Sequence, residues 1–242
     1  QSNALLTFKS PEKTYKDLLS RQDFNISFGF MNLTGSAGSL AIGNNESQMK
    51  VGKSTSSQFE FRFTRQIGPL TSPVFYRTGF GYRQDIISPE KPKVFVQDLS
   101  DAMYLADFTS ANLRKSSFRN HYIMVPLDFV FVLDPQYTVE NDEKLLDNSK
   151  GNFRLAAGIY GGVRVASQNY FVYKNEKNHS VKNVENMPEV ANNFIFGGKL
   201  SLGYKAINIF IKKDFTPIFN DNAKINNKYG IQIGLELLYI DF

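Results

Sequence analysis

The sequence has no cysteine and no tryptophan, only two histidines, and no long apolar run. Without cysteine there is no disulfide framework and no thiolate to act as nucleophile or zinc ligand. Neither His121 nor His179 lies in a metal-holding spacing such as HExxH, so no metal or other cofactor is expected. No stretch approaches the roughly 18 apolar residues of a spanning helix, and the mean hydropathy is −0.30. Soluble folds and β-barrels remain. The net charge of +5 is modest and the basic residues are scattered, which leaves no nucleic-acid footprint.

What the chain does have is phenylalanine, 22 of them, many placed at every second position. In QFEFRFTR (58–65), Phe59, Phe61 and Phe63 alternate with Glu60, Arg62 and Thr64. Period-two alternation in aromatic and β-branched residues marks strands. Eight are expected: 24–31, 58–65, 74–83, 122–132, 153–166, 194–204, 207–212 and 229–240. The connections 32–57, 84–121, 167–193 and 213–228 are long, whereas 67–73 and 205–206 are short. Long loops at one rim and short turns at the other are the habit of outer-membrane barrels. The segment 133–152 departs from that habit. Upstream, SPEKTYKDLLSRQ (10–22) carries Ser10 as N-cap, Pro11 at the first helical position and Glu12 in the first turn, predicting a short amphipathic helix. Gln1-Ser2-Asn3-Ala4 has the look of a cleaved expression tag, with any signal peptide removed. The expected division is 1–4 tag remnant, 5–23 helical segment and 24–242 barrel.

Sorting each strand by parity separates two faces. One collects Phe59, Phe61, Phe63, Phe129, Phe131, Leu235 and Tyr239 with many other apolar residues and scarcely a charge. The other collects Glu60, Arg62, Arg77, Arg83, Asp128, Arg154, Arg164, Lys199, Lys212 and Glu236, interspersed with glycines such as Gly79, Gly81, Gly158 and Gly234. On the outside of a soluble barrel those glycines would weaken the strands and contribute nothing. Inside a narrow eight-stranded barrel, large polar side chains need small neighbours. A lone charge on the lipid side costs roughly 2–4 kcal/mol at mid-bilayer, so a nearly charge-free face is what lipid requires. The apolar face is therefore expected outside and the ionic face inside. Seven basic positions there oppose three acidic ones, so water or further acidic groups from the rims must balance the excess.

YIMVPL (122–127) resembles the Tyr-x-x-Ile/Val-Pro-Leu stretch of the PorT-like outer-membrane β-barrel family. GIYGGVR (158–164), FGGKLSLGY (196–204) and DFTPIFND (214–221) are similar to its Gly-rich and late strands. Phe242 is similar to the C-terminal aromatic of outer-membrane barrels. Counting back from it by twos reaches Glu236, out of step with Tyr239 and Leu237, so either the last strand shifts phase near Leu237-Leu238 or the resemblance is partial. The resemblance implies an outer-membrane location in a Gram-negative-type bacterium and a secretion-associated role. Pro126 needs a bulge, an edge or an unpaired position.

The expected fold is all-β: an eight-stranded antiparallel up-and-down transmembrane β-barrel with a short N-terminal helix. The expected function is structural, adhesive or complex-forming, not enzymatic, with the long loops as binding surface. The partners are outer-membrane lipid and other cell-envelope proteins. Three alternatives stand beside it: a lipid-modifying enzyme centred on His121 with Ser116 and Ser117, a narrow passive channel, and a soluble ligand-binding barrel. His179, in NEKNHSVKN, ENDEK (140–144) and the triplet Asn45-Glu46-Ser47 read as solvated loop features.

Overall fold

The computed structural model describes residues 20–40, 49, 52–90, 92–140, 142–147, 152–204 and 207–241. Thirteen strands follow in chain order: β1 (Ser20–Thr34), β2 (Thr55–Gln66), β3 (Val74–Ile87), β4 (Lys93–Gln97), β5 (Met103–Asp107), β6 (Asn112–Val132), β7 (Tyr137–Glu140), β8 (Glu143–Leu146), β9 (Phe153–Lys174), β10 (Ser180–Asn186), β11 (Phe194–Tyr204), β12 (Ile207–Asp214) and β13 (Tyr229–Asp241). Eight of them close on themselves, β1-β2-β3-β6-β9-β11-β12-β13 and back to β1, with every neighbouring pair antiparallel. The result is an up-and-down antiparallel barrel with no open edge among these eight. β4 and β5 form a hairpin within one long connection, and β7 and β8 form another at the opposite end. The barrel begins and ends at the same rim, where Asp23 lies opposite Asp241. That rim also carries the connections 67–73, 133–152 and 205–206, and is called the turn end below.

The expected helical segment 5–23 is corrected at its last residues, because Ser20–Asp23 are strand paired with Arg65–Arg62 of β2. Its remainder and residues 1–4 lie outside the described residues. β6 and β9 are longer than their alternation predicts, starting at Asn112 and ending at Lys174. The added lengths, NLRKSSFRNH and SQNYFVYK, pair with one another and rise past the barrel wall. Their outward positions are mostly polar or aromatic, so no run of exposed apolar residues announces them. β10 adds to the other edge of this extension of β9. In 133–152 the anomaly is the β7–β8 hairpin, whose turn has Asp142 in the left-handed region at φ 63°.

Pro126 creates no bulge. On the β3 side, Thr78 pairs with Leu127 and Gly81 with Met124, one register throughout, and only the pairs between them are missing. The Thr78 hydroxyl donates to the Pro126 carbonyl at 3.0 Å. A phase shift does occur in β13, where Ile26 pairs with Leu237 but Phe24 with Ile240. One extra residue is absorbed there, bringing Ile240 opposite Phe24.

Two apolar clusters bracket the interior. At the turn end, Phe75, Val130, Val132 and Ala156 pack under Leu146 of β8. At the loop end a larger core joins barrel residues to all four long connections. Phe118 of β6 lies edge-on to Phe95 and Phe219, with ring centroids 5.5 and 5.1 Å away. All five methionines of the chain belong to this core, and their unbranched thioethers suit the irregular fit between loops and barrel. Short bridges lock the connections together: Met49 with Pro89, Met103 with Ala223, and Ala191 with Phe219.

Candidate functional site

The strand period of two places successive side chains on opposite faces, and the two faces differ as sharply as any in the chain. Phe59 and Phe80 are 43% and 57% exposed, whereas Glu60, Arg62 and Arg83 are 1%, 2% and 0% exposed. Phe63, Phe129, Phe131 and Leu235 also stand exposed on the outer wall. Phe61 is half-buried there because its ring packs against Phe63 and Phe80 at 5.1 and 5.6 Å. Tyr239 sits at the β13 phase shift, and its side chain lies outside the described residues.

Between the apolar clusters the interior is filled by three linked polar layers. Nearest the turn end, Arg62 pairs with Asp23 at 2.6 Å and approaches Glu236 at 4.0 Å. Lys199 bridges Glu236 and Asp128 at 2.6 and 3.1 Å. Arg77 is buried beside them and donates to Thr64 at 3.4 Å. In the middle layer, Glu60 accepts from Asn25 and Gln58 at 2.8 and 2.6 Å. Gln58 in turn accepts from Lys212 at 2.7 Å. In the upper layer, Arg83 holds Asp214 in a two-pronged pair at 2.9 Å and Asp85 at 2.8 Å. The Tyr160 hydroxyl donates to Asp214 at 2.6 Å, and the Arg83 guanidinium lies 5.7 Å from the Tyr122 and Tyr160 rings. Buried charges need pairing or hydrogen bonds; Arg62, Arg83 and Lys199 have carboxylate partners, whereas Arg77 and Lys212 are held by the neutral oxygens of Thr64 and Gln58.

Glycine makes room for these carboxylates. A β-carbon at Gly158 would strike Asp128 Oδ1 and the Leu127 carbonyl, and one at Gly230 would strike Asp214 Oδ2.

The acidic groups that offset the inward basic excess are Asp23, Asp85 and Asp214, buried alongside Glu60, Asp128 and Glu236; six acidic side chains thus stand against six basic ones, Arg62, Arg77, Arg83, Lys199, Lys212 and Lys213, buried among the described residues. Arg154 and Arg164 are only partly buried, near opposite rims. Arg164 donates to the carbonyls of Asn192 and Pro188 at 3.1 and 2.9 Å and so pins a loop. The three missed carboxylates each lie on the inward parity of their strand, just past the ends that alternation marks.

His121 contacts the Tyr82 hydroxyl on the outer wall. Ser116 faces the opposite side of β6, and Ser117 lies four extended residues away, roughly 13 Å along a strand. The structure therefore does not bring a serine and His121 together for nucleophilic chemistry. The His179 backbone N–H donates to the Asn175 side chain at 2.9 Å in an exposed turn. Asn45-Glu46-Ser47 lies outside the described residues.

No family model matches the sequence, and no curated protein matches it. Among solved structures the chain is similar to Ail, the attachment invasion locus protein of Yersinia pestis, crystallised in complex with the heparin analogue sucrose octasulfate. Identity is 9% over 90% of this chain and 98% of Ail, with a TM-score of 0.32.

Proposed function

We propose that this chain is an outer-membrane protein of a Gram-negative-type bacterium that crosses lipid with eight strands and works through its loop end as an adhesive or complex-forming surface. The membrane reading is supported by the inversion of the two faces. An apolar outer wall and an ionic interior suit hydrocarbon outside, where each exposed charge costs roughly 2–4 kcal/mol. Closed barrels satisfy every backbone group without water, which is the condition for strands to cross lipid.

The observation that carries the role is the packed loop end. Three polar layers occupy the interior, and an apolar core built from all four long connections covers them. A lumen filled in this way favours a rigid platform over a conducting channel. Above it stand the extensions of β6 and β9 with β10, and against their inner face Phe108 packs on Phe171 and Tyr173 at 5.8 and 5.3 Å. These rings, with Val181 and Asn183, line an open cleft of about 550 Å³. Half-buried aromatic rings beside polar groups are the usual anchors of protein interfaces. The finer reading, membership of a secretion-associated assembly, rests on the PorT-like Val125-Pro126-Leu127 element.

The test is co-purification from detergent-solubilised outer membranes with the wild-type chain and with a Phe108→Ala/Phe171→Ala/Tyr173→Ala variant. A defined envelope protein that accompanies the wild type and is lost with the folded variant is the expected result. Recovery of the chain in the soluble fraction would remove the membrane reading, and unitary conductance steps in planar bilayers would favour a channel.

A further inference from the structure

The outer wall changes character abruptly where β6 and β9 leave the barrel. Below, Ile123 and Val165 are exposed and apolar. Above, on the same outward face, follow His121, Arg119, Ser117 and Lys115 of β6, opposite Ala166, Gln168, Tyr170 and Val172 of β9. β10 contributes Lys182 and Val184 through its pairing with Val172 and Tyr170. Three cations gather round one ring: Arg119 Cζ is 3.7 Å from the Tyr170 centroid, Lys182 Nζ 5.5 Å and Lys115 Nζ 5.7 Å.

The outward positions of these strands, and of β3 beside them (Tyr82, Gln84 and Ile86), include no carboxylate. Among the described residues none of the three cations forms an ion pair, and Arg119 Nε and Ser117 Oγ are buried without a hydrogen-bond partner. Inside the barrel Arg62, Arg83 and Lys199 are each paired with a carboxylate. Here the chain concentrates like charge beside unused donors, which is the arrangement an anion completes.

Position identifies the anion. Arg119 lies four residues above Ile123, roughly 13 Å along the strand and about 10 Å in height at a barrel tilt near 40°. That is the depth of the headgroups when the apolar belt fills the hydrocarbon, since the polar layers add only several Å on each side.

We propose that Lys115, Arg119 and Lys182, organised by Tyr170, bind the phosphate of an outer-leaflet phosphorylated glycolipid whose acyl chains lie along the apolar wall below. Arg119 supplies a planar fork to the phosphate, and the two lysines supply point charge. The site rests on the membrane reading above, and it gives the platform a fixed lipid collar on the β6–β9–β10 side.

The experiment compares the full chain with a Lys115→Gln/Arg119→Gln/Lys182→Gln variant, and with Arg119→Gln alone, in detergent micelles. Folding is checked by strand circular dichroism and by the gel mobility difference between unheated and heated samples. Retention of bisphosphorylated lipid A against its dephosphorylated form is then read by native mass spectrometry. The wild type should prefer the phosphorylated form by about tenfold or more, at roughly 1 kcal/mol per basic group near a lipid surface. The triple variant should lose that preference, Arg119→Gln should lose part of it, and Lys115→Arg/Lys182→Arg should keep it. An unchanged preference in either folded glutamine variant overturns the site, as does wild-type binding of inorganic phosphate as tight as that of lipid A. A chain that folds in buffer without detergent instead overturns the membrane reading itself.

Discussion

Replacing Asp214 with alanine is the sharpest probe of the ionic interior. The change removes both prongs of the Arg83 pair at 2.9 Å and the acceptor of the Tyr160 hydroxyl at 2.6 Å, leaving Arg83 with Asp85 alone. Arg83 is fully buried, so it cannot turn to water. Breaking a buried pair by deleting one partner costs roughly 3–5 kcal/mol. A stranded hydroxyl costs about 1–3 kcal/mol, but the two effects share Asp214 and do not add in full. About 4 kcal/mol is expected, a loss of roughly 1.3–2 M in urea midpoint at a slope of roughly 2–3 kcal/mol/M. The chain has no tryptophan, so refolding in lipid vesicles is followed by gel mobility and circular dichroism. A second substitution makes the result specific. Gly230→Ala alone drives a β-carbon into Asp214 Oδ2 and should cost roughly 1–3 kcal/mol as an overpacking change. In the Asp214→Ala background that obstacle is gone, and with only the Met31 terminal methyl left to shift, the cost should fall below about 1 kcal/mol. Equal costs for Gly230→Ala in both backgrounds, or a loss under 1 kcal/mol for Asp214→Ala, would refute the packing described.

Leu127→Arg places a charge on the exposed middle of β6 and should lower stability in vesicles by roughly 2–4 kcal/mol; Val184→Arg, on the extension above, should change stability in the same urea titration by less than about 0.5 kcal/mol. Phe118→Ala empties the centre of the loop-end core and should cost about 3–5 kcal/mol, with protease cleavage appearing first in residues 88–111 and 215–228; cleavage confined to the turn end would contradict the role assigned to that core. Wild-type protein in planar bilayers should give no unitary conductance, because both ends of the interior are apolar and packed.

The alternation of the barrel strands was legible because an ionic interior and an apolar outer surface lie on opposite sides of a wall one residue thick. Glu60 and Phe61 cannot exchange faces without cost, so composition records the geometry. The record fades where that contrast ends. Asp23, Asp85 and Asp214 each sit on the inward parity of β1, β3 and β12, just past the ends that the alternation marks, so carrying the parity one step further would have found all three. The upper parts of β6 and β9 were harder. There the outward residues are Arg119, Ser117 and Lys115, which read as loop composition, and only their pairing with Gln168, Tyr170 and Val172 makes them strand. The loop-end core was hidden for a different reason: Met49, Phe95, Met187 and Phe219 are single apolar residues in polar surroundings, brought together by tertiary contacts of long sequence separation.

An ionic interior is not the most stabilising filling available, since well-packed apolar residues often match or exceed a buried ion network. What it adds here is a single register. Slipping β2 by one residue against β1 and β3 would turn Glu60 and Arg62 toward lipid and Phe59, Phe61 and Phe63 inward. Two charges at roughly 2–4 kcal/mol each oppose that slip, before the loss of Asp23 and Glu236 as partners. An interior of leucine would offer no such resistance, because a strand apolar on both faces is equally at home in either register. The glycines follow from the same requirement: Gly158 and Gly230 are the indentations into which Asp128 and Asp214 fit, and a shift by one residue would present a side chain instead. Loops that must fold over the mouth from four different strand pairs need those strands in one fixed stagger. The polar layers thus hold the loop end in one position, which is what the proposed binding platform requires.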